Sequence, residues 1–191
     1  MYNKIVKDLD TQEDVIEIVI AIPEDAKGIR EVQYKTWLVT YPNQELGITI
    51  DDIEDRFKDA FSDKNIKERE DRLRNQLSSQ KVFIAKTKEK IVGFCIVTKL
   101  EDKNQINAIY ILPGLQGRGL GKALWAKASE FLDLTKDTTV EVASYNTKAI
   151  EFYRKIGFTE TGKQIENEKL RKMKSGAVMP EMEMIRKGIK K

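Results

Sequence analysis

The residues with the clearest chemical potential lie in one short run, Ile109-Tyr110-Ile111-Leu-Pro-Gly-Leu-Gln116-Gly117-Arg118-Gly119-Leu120-Gly121-Lys122-Ala-Leu. Three alternating glycines join an apolar, strand-like stretch to the start of a helical period. Closely spaced glycines let successive backbone N–H groups turn toward one concavity, and a helix N-terminus adds partial positive charge, so phosphate oxygens are the natural guest. Arg118 and Lys122 add formal charge. Two better-known phosphate motifs do not fit. A dinucleotide G-x-G-x-x-G beginning at Gly117 needs glycine where Lys122 stands, and a P-loop needs glycine at Gln116 and Ser or Thr at Ala123. A plain turn with a helix cap accounts for one glycine rather than three. The remaining reactive inventory is thin. The chain has no histidine and one cysteine, Cys95, which excludes a serine–histidine triad, a histidine-bearing zinc site and an internal disulfide. Cys95 lies in Ile-Val-Gly-Phe-Cys-Ile-Val and reads as a buried strand thiol.

The elements that must position this loop can be read on both sides of it. Val15 to Ile22 reads as a first strand, feeding a helix from Ala26 to about Leu38 that begins after Pro23-Glu24-Asp25 and stops at Tyr41-Pro42-Asn43. Asp51-Asp52 opens a second helix through Phe57 and Phe61, and a charged helix spans about Asn65 to Leu77. Lys81 to Lys86 and Ile91 to Leu100 form a hairpin, and Ile106 to Leu112 a further strand. After Pro113 come a helix marked by Leu120, Leu124, Ala128, Phe131 and Leu132, then a strand at Val140 to Ala143. A second helix carries Ala149, Phe152, Tyr153 and Ile156, with Gly157 as its cap, and Phe158 opens the next strand. Residues 163–178 read as a charged loop before a last strand near Met182 to Ile185, and residues 1–13 as a flexible extension of a single domain over 1–191.

Gln116-x-x-Gly119-x-Gly121 after a strand resembles the acyl-CoA pyrophosphate loop of the GNAT superfamily of N-acyltransferases. The segment Asn146-Thr-Lys-Ala149-Ile-Glu-Phe152-Tyr153-Arg-Lys155-Ile-Gly157-Phe158, 30 residues after Gln116, resembles that superfamily's second signature. The similarity is good over about Val82 to Arg186 and loose over the earlier helices. It implies an α/β fold with a bent mixed sheet of about seven strands, flanked by about four to five helices, in which two neighbouring parallel strands splay apart. Coenzyme A would occupy that gap between strands 106–112 and 139–144. Its pantetheine would pair with the backbone of Ile109, Tyr110 and Ile111, its pyrophosphate with the amides of Gly117 to Lys122, and Asn146 would bond the cofactor as well as cap its helix. The same resemblance makes Tyr153 the general acid, because a phenol of pKa ~10 can share a proton with a departing thiolate of pKa ~8.5. Without the resemblance Tyr153 reads as an aromatic of the helix face. A backbone N–H near Ile111 would meet the oxyanion. The general base stays open: Asn107 sits where relatives often carry a glutamate, and a water chain or Glu141 would have to serve.

The resemblance therefore implies an acyl-CoA-dependent N-acetyltransferase that uses acetyl-CoA and no metal, with direct transfer in a ternary complex. The acceptor wall would come from the segment that runs from Trp37-Leu-Val-Thr-Tyr41-Pro-Asn-Gln-Glu45 to Asp51-Asp52. Aromatics beside carboxylates suit a cationic small-molecule amine of the polyamine kind. Trp37 also fits a core stripe, and Asp51-Asp52 a helix start. A protein or peptide amine is the alternative acceptor, and a non-catalytic acyl-CoA-binding module the alternative to an enzyme. A homodimer is common in the superfamily. With 34 basic and 31 acidic residues spread along the chain no field favours nucleic acid, and no apolar run approaches the ~20 residues that span a bilayer. The start lacks a signal-peptide pattern, so the expected location is cytoplasmic.

Overall fold

The computed structural model describes residues 15–76, 78–165 and 172–189. The expected extension at 1–13 and the middle of the expected loop, 166–171, lie outside the described residues. The chain runs β1 (Glu17–Ile20), a 3-10 turn (Pro23–Asp25), α1 (Ala26–Thr40), α2 (Ile50–Phe57), α3 (Asp63–Arg74), β2 (Gln80–Lys86), β3 (Ile91–Lys99) and β4 (Asn104–Ile111). It continues with α4 (Leu120–Ser129), β5 (Thr138–Ala143), α5 (Thr147–Lys155), β6 (Thr159–Ile165) and β7 (Glu181–Arg186). One seven-stranded sheet has the order β1-β2-β3-β4-β5-β7-β6, and β4–β5 is its parallel pair. This is the mixed α/β architecture expected above.

The near-continuous apolar runs of β2 and β3 follow from burial on both faces. Val82, Ile84 and Phe94 point toward α1, where they meet Ile29 and Val32. Phe83, Ala85, Cys95 and Val97 point to the other face, where they meet Leu120, Leu124, Trp125 and Ala128 of α4. Each strand thus splits its side chains between two cores by its period of two. Among the described residues no helix is long and apolar enough to cross a membrane.

Two boundaries differ from the expectation in an informative way. β6 extends through Ile165, so residues 163–165 are strand rather than loop. Its side chains are almost all exposed, so no apolar alternation marks it. β4 starts at Asn104, two residues before the apolar run. Asn104 is fully buried and donates through Nδ2 to the Asp133 carbonyl at 2.8 Å, fastening the start of β4 to the turn before β5.

Candidate active site

β4 and β5 pair only at Asn104–Ile106 against Thr138–Val140; beyond that point Asn107–Ile111 and Glu141–Ala143 have no shared register. The parting begins at a bulge. The β3–β4 register jumps between Ile96↔Ala108 and Val97↔Ile106, leaving Asn107 as the extra residue, and a bulge of this kind bends its strand. Past the bulge, Leu112 N–H donates to Val92, so by antiparallel alternation Tyr110 and Leu112 bond β3 while Ile109 and Ile111 turn their polar groups into the gap. The Ile111 carbonyl there accepts from Gln116 Nε2 at 3.1 Å and from the Thr36 hydroxyl at 3.3 Å. Gln116 thereby ties the glycine loop to the open end of β4.

Gly117 (φ 79°) and Gly119 (φ 83°) are left-handed, a conformation costly for any residue with a Cβ. Gly119 is the N-cap of α4 and brings no side-chain cap, so the first-turn amides of α4 are left for another acceptor. Arg118 and Lys122 are exposed beside them. Gly121 serves differently from its neighbours. It lies within α4, and a Cβ there would meet the Phe152 ring at 3.1 Å, so its role is the close approach of α4 to α5. Asn146 starts α5, its Oδ1 accepting from Ala149 N–H at 3.1 Å. An uncapped helix start next to an unpaired strand edge offers amide donors to an anion and backbone to an extended, peptide-like ligand.

Tyr153 is buried, its ring centroid 5.3 Å from Phe152 and 5.6 Å from Phe158. Burial, and then the neighbouring Cys95 and Tyr110 groups, push its phenol far above the usual range, so it stays protonated. Toward α1, Tyr41 and Tyr110 share a hydroxyl–hydroxyl bond of 3.0 Å, and Tyr145 donates its hydroxyl to the Tyr41 carbonyl at 2.9 Å. Burial comes first, and the charge of Glu181 adds to it, in raising the phenols of Tyr41, Tyr110 and Tyr145, the last to about 12. Trp37 closes the group, 4.6 Å from Tyr41 and 5.5 Å from Phe57 between ring centroids.

This aromatic wall is held from outside by Asp52. Its carboxylate accepts from Thr49 N–H (2.8 Å) and hydroxyl (2.9 Å), and from Ser175 N–H (2.7 Å) and hydroxyl (2.9 Å), clamping the segment before β7 onto the start of α2. These bonds outweigh the burial that opposes them and hold its pKa at about 2. A carboxylate lowered from an unfolded value of ~3.9 contributes stability that is present above pH ~4 and lost as pH falls toward ~2. Asp52→Asn keeps the size but loses the charge and half of the acceptors, so it should lower the unfolding free energy by about 2–3 kcal/mol in urea titrations at neutral pH. The difference from the parent should shrink in acid. A loss under ~0.5 kcal/mol would show that the clamp is incidental.

Ile109, Tyr110 and Ile111 lie on β4 at the opening, Gln116 ties the loop of Gly117 and Gly119 to it, and Asn146 and Tyr153 lie on α5, which follows β5. Leu120 contributes its backbone there and its side chain to the core. Trp37 and Tyr41 belong both to the wall and to the core cluster of α2. Two expected residues fall elsewhere. Glu45 lies exposed at the tip of the turn closed by the Asn43–Ile48 bridge. Asn107 is exposed at the bulge, where it accepts the Thr98 hydroxyl at 2.6 Å, outside the tyrosine group. Glu141 is exposed on β5 opposite Glu183. Sequence reading missed Tyr145 and Glu181. Tyr145 stands directly before Asn146, so its position was available; Glu181 has no local signal, since it reaches the tyrosines only through the pairing of β7 with β5. Among the described residues no group of three or more Cys, Asp or Glu could hold a metal.

The family model described as an acetyltransferase (GNAT) domain matches residues 38–174. The peptidyl-lysine N-acetyltransferase YjaB of Salmonella typhimurium is 32% identical over 110 residues, covering 57% of this chain and 71% of that protein. The crystal structure of the PaiA N-acetyltransferase of Thermoplasma acidophilum in complex with coenzyme A superposes with a TM-score of 0.66 at 20% identity, covering 90% of this chain and 98% of that one. The solution structure of apo YjaB from Escherichia coli gives 0.55 at 22% identity, covering 92% and 99%.

Proposed function

Because this chain belongs to the GNAT acetyltransferases and carries an acetyl group from acetyl-CoA to an amine, we propose that its acceptor is a primary alkylamine, in the first place a lysine side chain of a protein. One observation carries the acceptor class: Tyr41, Tyr110 and Tyr145, with Trp37 packed on Tyr41, form one aromatic cluster, and the charge of Glu181, which pairs with Ala143 at the end of β5, is felt by all three tyrosines. A ring face attracts an alkylammonium and a carboxylate adds to it. The peptide-lysine choice follows the activity named for the YjaB relative. A free polyamine is the second reading, favoured by the same wall, which recognises the ammonium group whether or not a peptide carries it.

In this reading acetyl-CoA supplies an activated thioester, and the protein supplies position and proton management. Amides of Gly117 to Lys122, with Arg118 and Lys122, hold the pyrophosphate; Asn146 bonds the arm. Glu181 draws in the ammonium and, through water, takes the proton that must leave before the nitrogen can attack. Ile111 N–H bonds the oxygen as charge grows on it. Tyr153 then gives its proton to the departing thiolate as the C–S bond breaks, and recovers one from the newly acylated nitrogen through solvent.

The test is thiol release from acetyl-CoA across lysine peptides, polyamines, amino sugars and amino acids, with intact-mass detection of acetylated protein. Turnover on lysine peptides, with one acetyl group gained per modified lysine, is expected. Turnover confined to polyamines would select the second reading, and tight acetyl-CoA binding without turnover on any amine would leave a binding module.

A further inference from the structure

One ring beyond the aromatic wall, α1, α2, α3 and the α2–α3 connection form an open cleft of about 240 Å³ lined by arginines from all three helices: Arg30, Arg56, Arg69 and Arg72. The Arg30 guanidinium stacks over Phe57 at 4.1 Å and donates through Nη1 to Gln33 at 2.8 Å, yet its Nε is buried with no partner. Arg69 is half-buried and has no carboxylate partner among the described residues. Arg72 is held by Glu68 at 3.6 Å on the exposed side. Two carboxylates also line the cleft, Asp55 and Asp59. Asp55 is shared by Lys58 at 3.5 Å and Lys174 at 3.8 Å.

Packing Phe57 explains Arg30 alone. It does not explain why guanidinium groups of α3 converge on the same space. Like charges brought together repel, and the half-buried Arg30 loses hydration besides: burial first, then Arg69, Arg56 and Arg72, hold the Arg30 pKa down to about 10. Burial and then Arg72 lower that of Arg69. Such an arrangement is relieved by an anion with several acceptor oxygens, and planar guanidinium forks match the edges of a phosphate. The volume admits a phosphate with part of the group that bears it.

We propose that this cleft binds a phosphate dianion, free or as a small phosphomonoester, through Arg30, Arg69 and Arg72, at a site separate from the glycine loop. The site needs no acetyl transfer to be tested. Inorganic phosphate and phenyl phosphate are titrated calorimetrically into the full chain saturated with coenzyme A, which blocks the glycine loop, at an ionic strength fixed with sodium chloride. One binding event is expected, weakened by about tenfold or more in Arg69→Gln. If that variant melts below the parent, Arg72→Gln, at an exposed position, carries the same test with a smaller loss. The free-phosphate and phosphomonoester arms identify which source binds more tightly. No heat at millimolar phosphate, equal binding in both variants, or an effect matched by chloride alone would overturn the proposal.

Discussion

Replacing Tyr153 by phenylalanine should lower kcat by about 10²–10⁴-fold while leaving the KM for acetyl-CoA within a few fold. The substitution removes one oxygen and keeps both ring contacts, with Phe152 and with Phe158, so packing is preserved. In the proposed mechanism, what disappears is the proton that meets the departing thiolate. Because burial keeps the phenol protonated, the alkaline side of the pH profile should not report its loss. An unfolding midpoint equal to the parent's must accompany the kinetic defect. A kcat within about threefold of the parent would return Tyr153 to the role of a core aromatic.

The second large effect is expected at Gly119. Its φ of 83° is reached with open space around the position of a Cβ, so backbone conformation rather than crowding demands glycine. A β-branched residue is a strong outlier there. Gly119→Val should turn the first amides of α4 away from their common concavity, raising the KM for acetyl-CoA by about tenfold or more, with stability falling by only about 1–2 kcal/mol. Gly121→Ala is the informative comparison, since its Cβ would press on Phe152 and act through helix packing. Unchanged acetyl-CoA affinity in Gly119→Val would refute the loop as the phosphate cradle.

The sequence carried the loop and the α5 helix with its asparagine cap because both are local: cap, glycine and apolar period lie within 16 residues for Ile109 to Leu124 and 13 for Asn146 to Phe158. The strands of the double-faced core were legible for the same reason. What escaped was assembled across the chain. The Asp52–Ser175 clamp joins residues 123 positions apart, and Asp52 alone shows only the acid of a helix start. Glu181 reaches the tyrosines through strand order, which no window of residues contains. β6 was half missed because a polar edge strand has no core face to print an alternation.

Cys95 is fully buried between β2 and β4, and burial pushes its thiol well above the ordinary range. Disulfide reagents therefore see no protein thiol while the sheet is intact, so the colour measured in a thiol-release assay belongs to coenzyme A alone. The same reagent added without substrate becomes a clock for opening of the sheet. Each chain yields a single signal, at the rate at which β3 comes away from its neighbours, and ligands that close the β4–β5 gap can be ranked by how far they slow it.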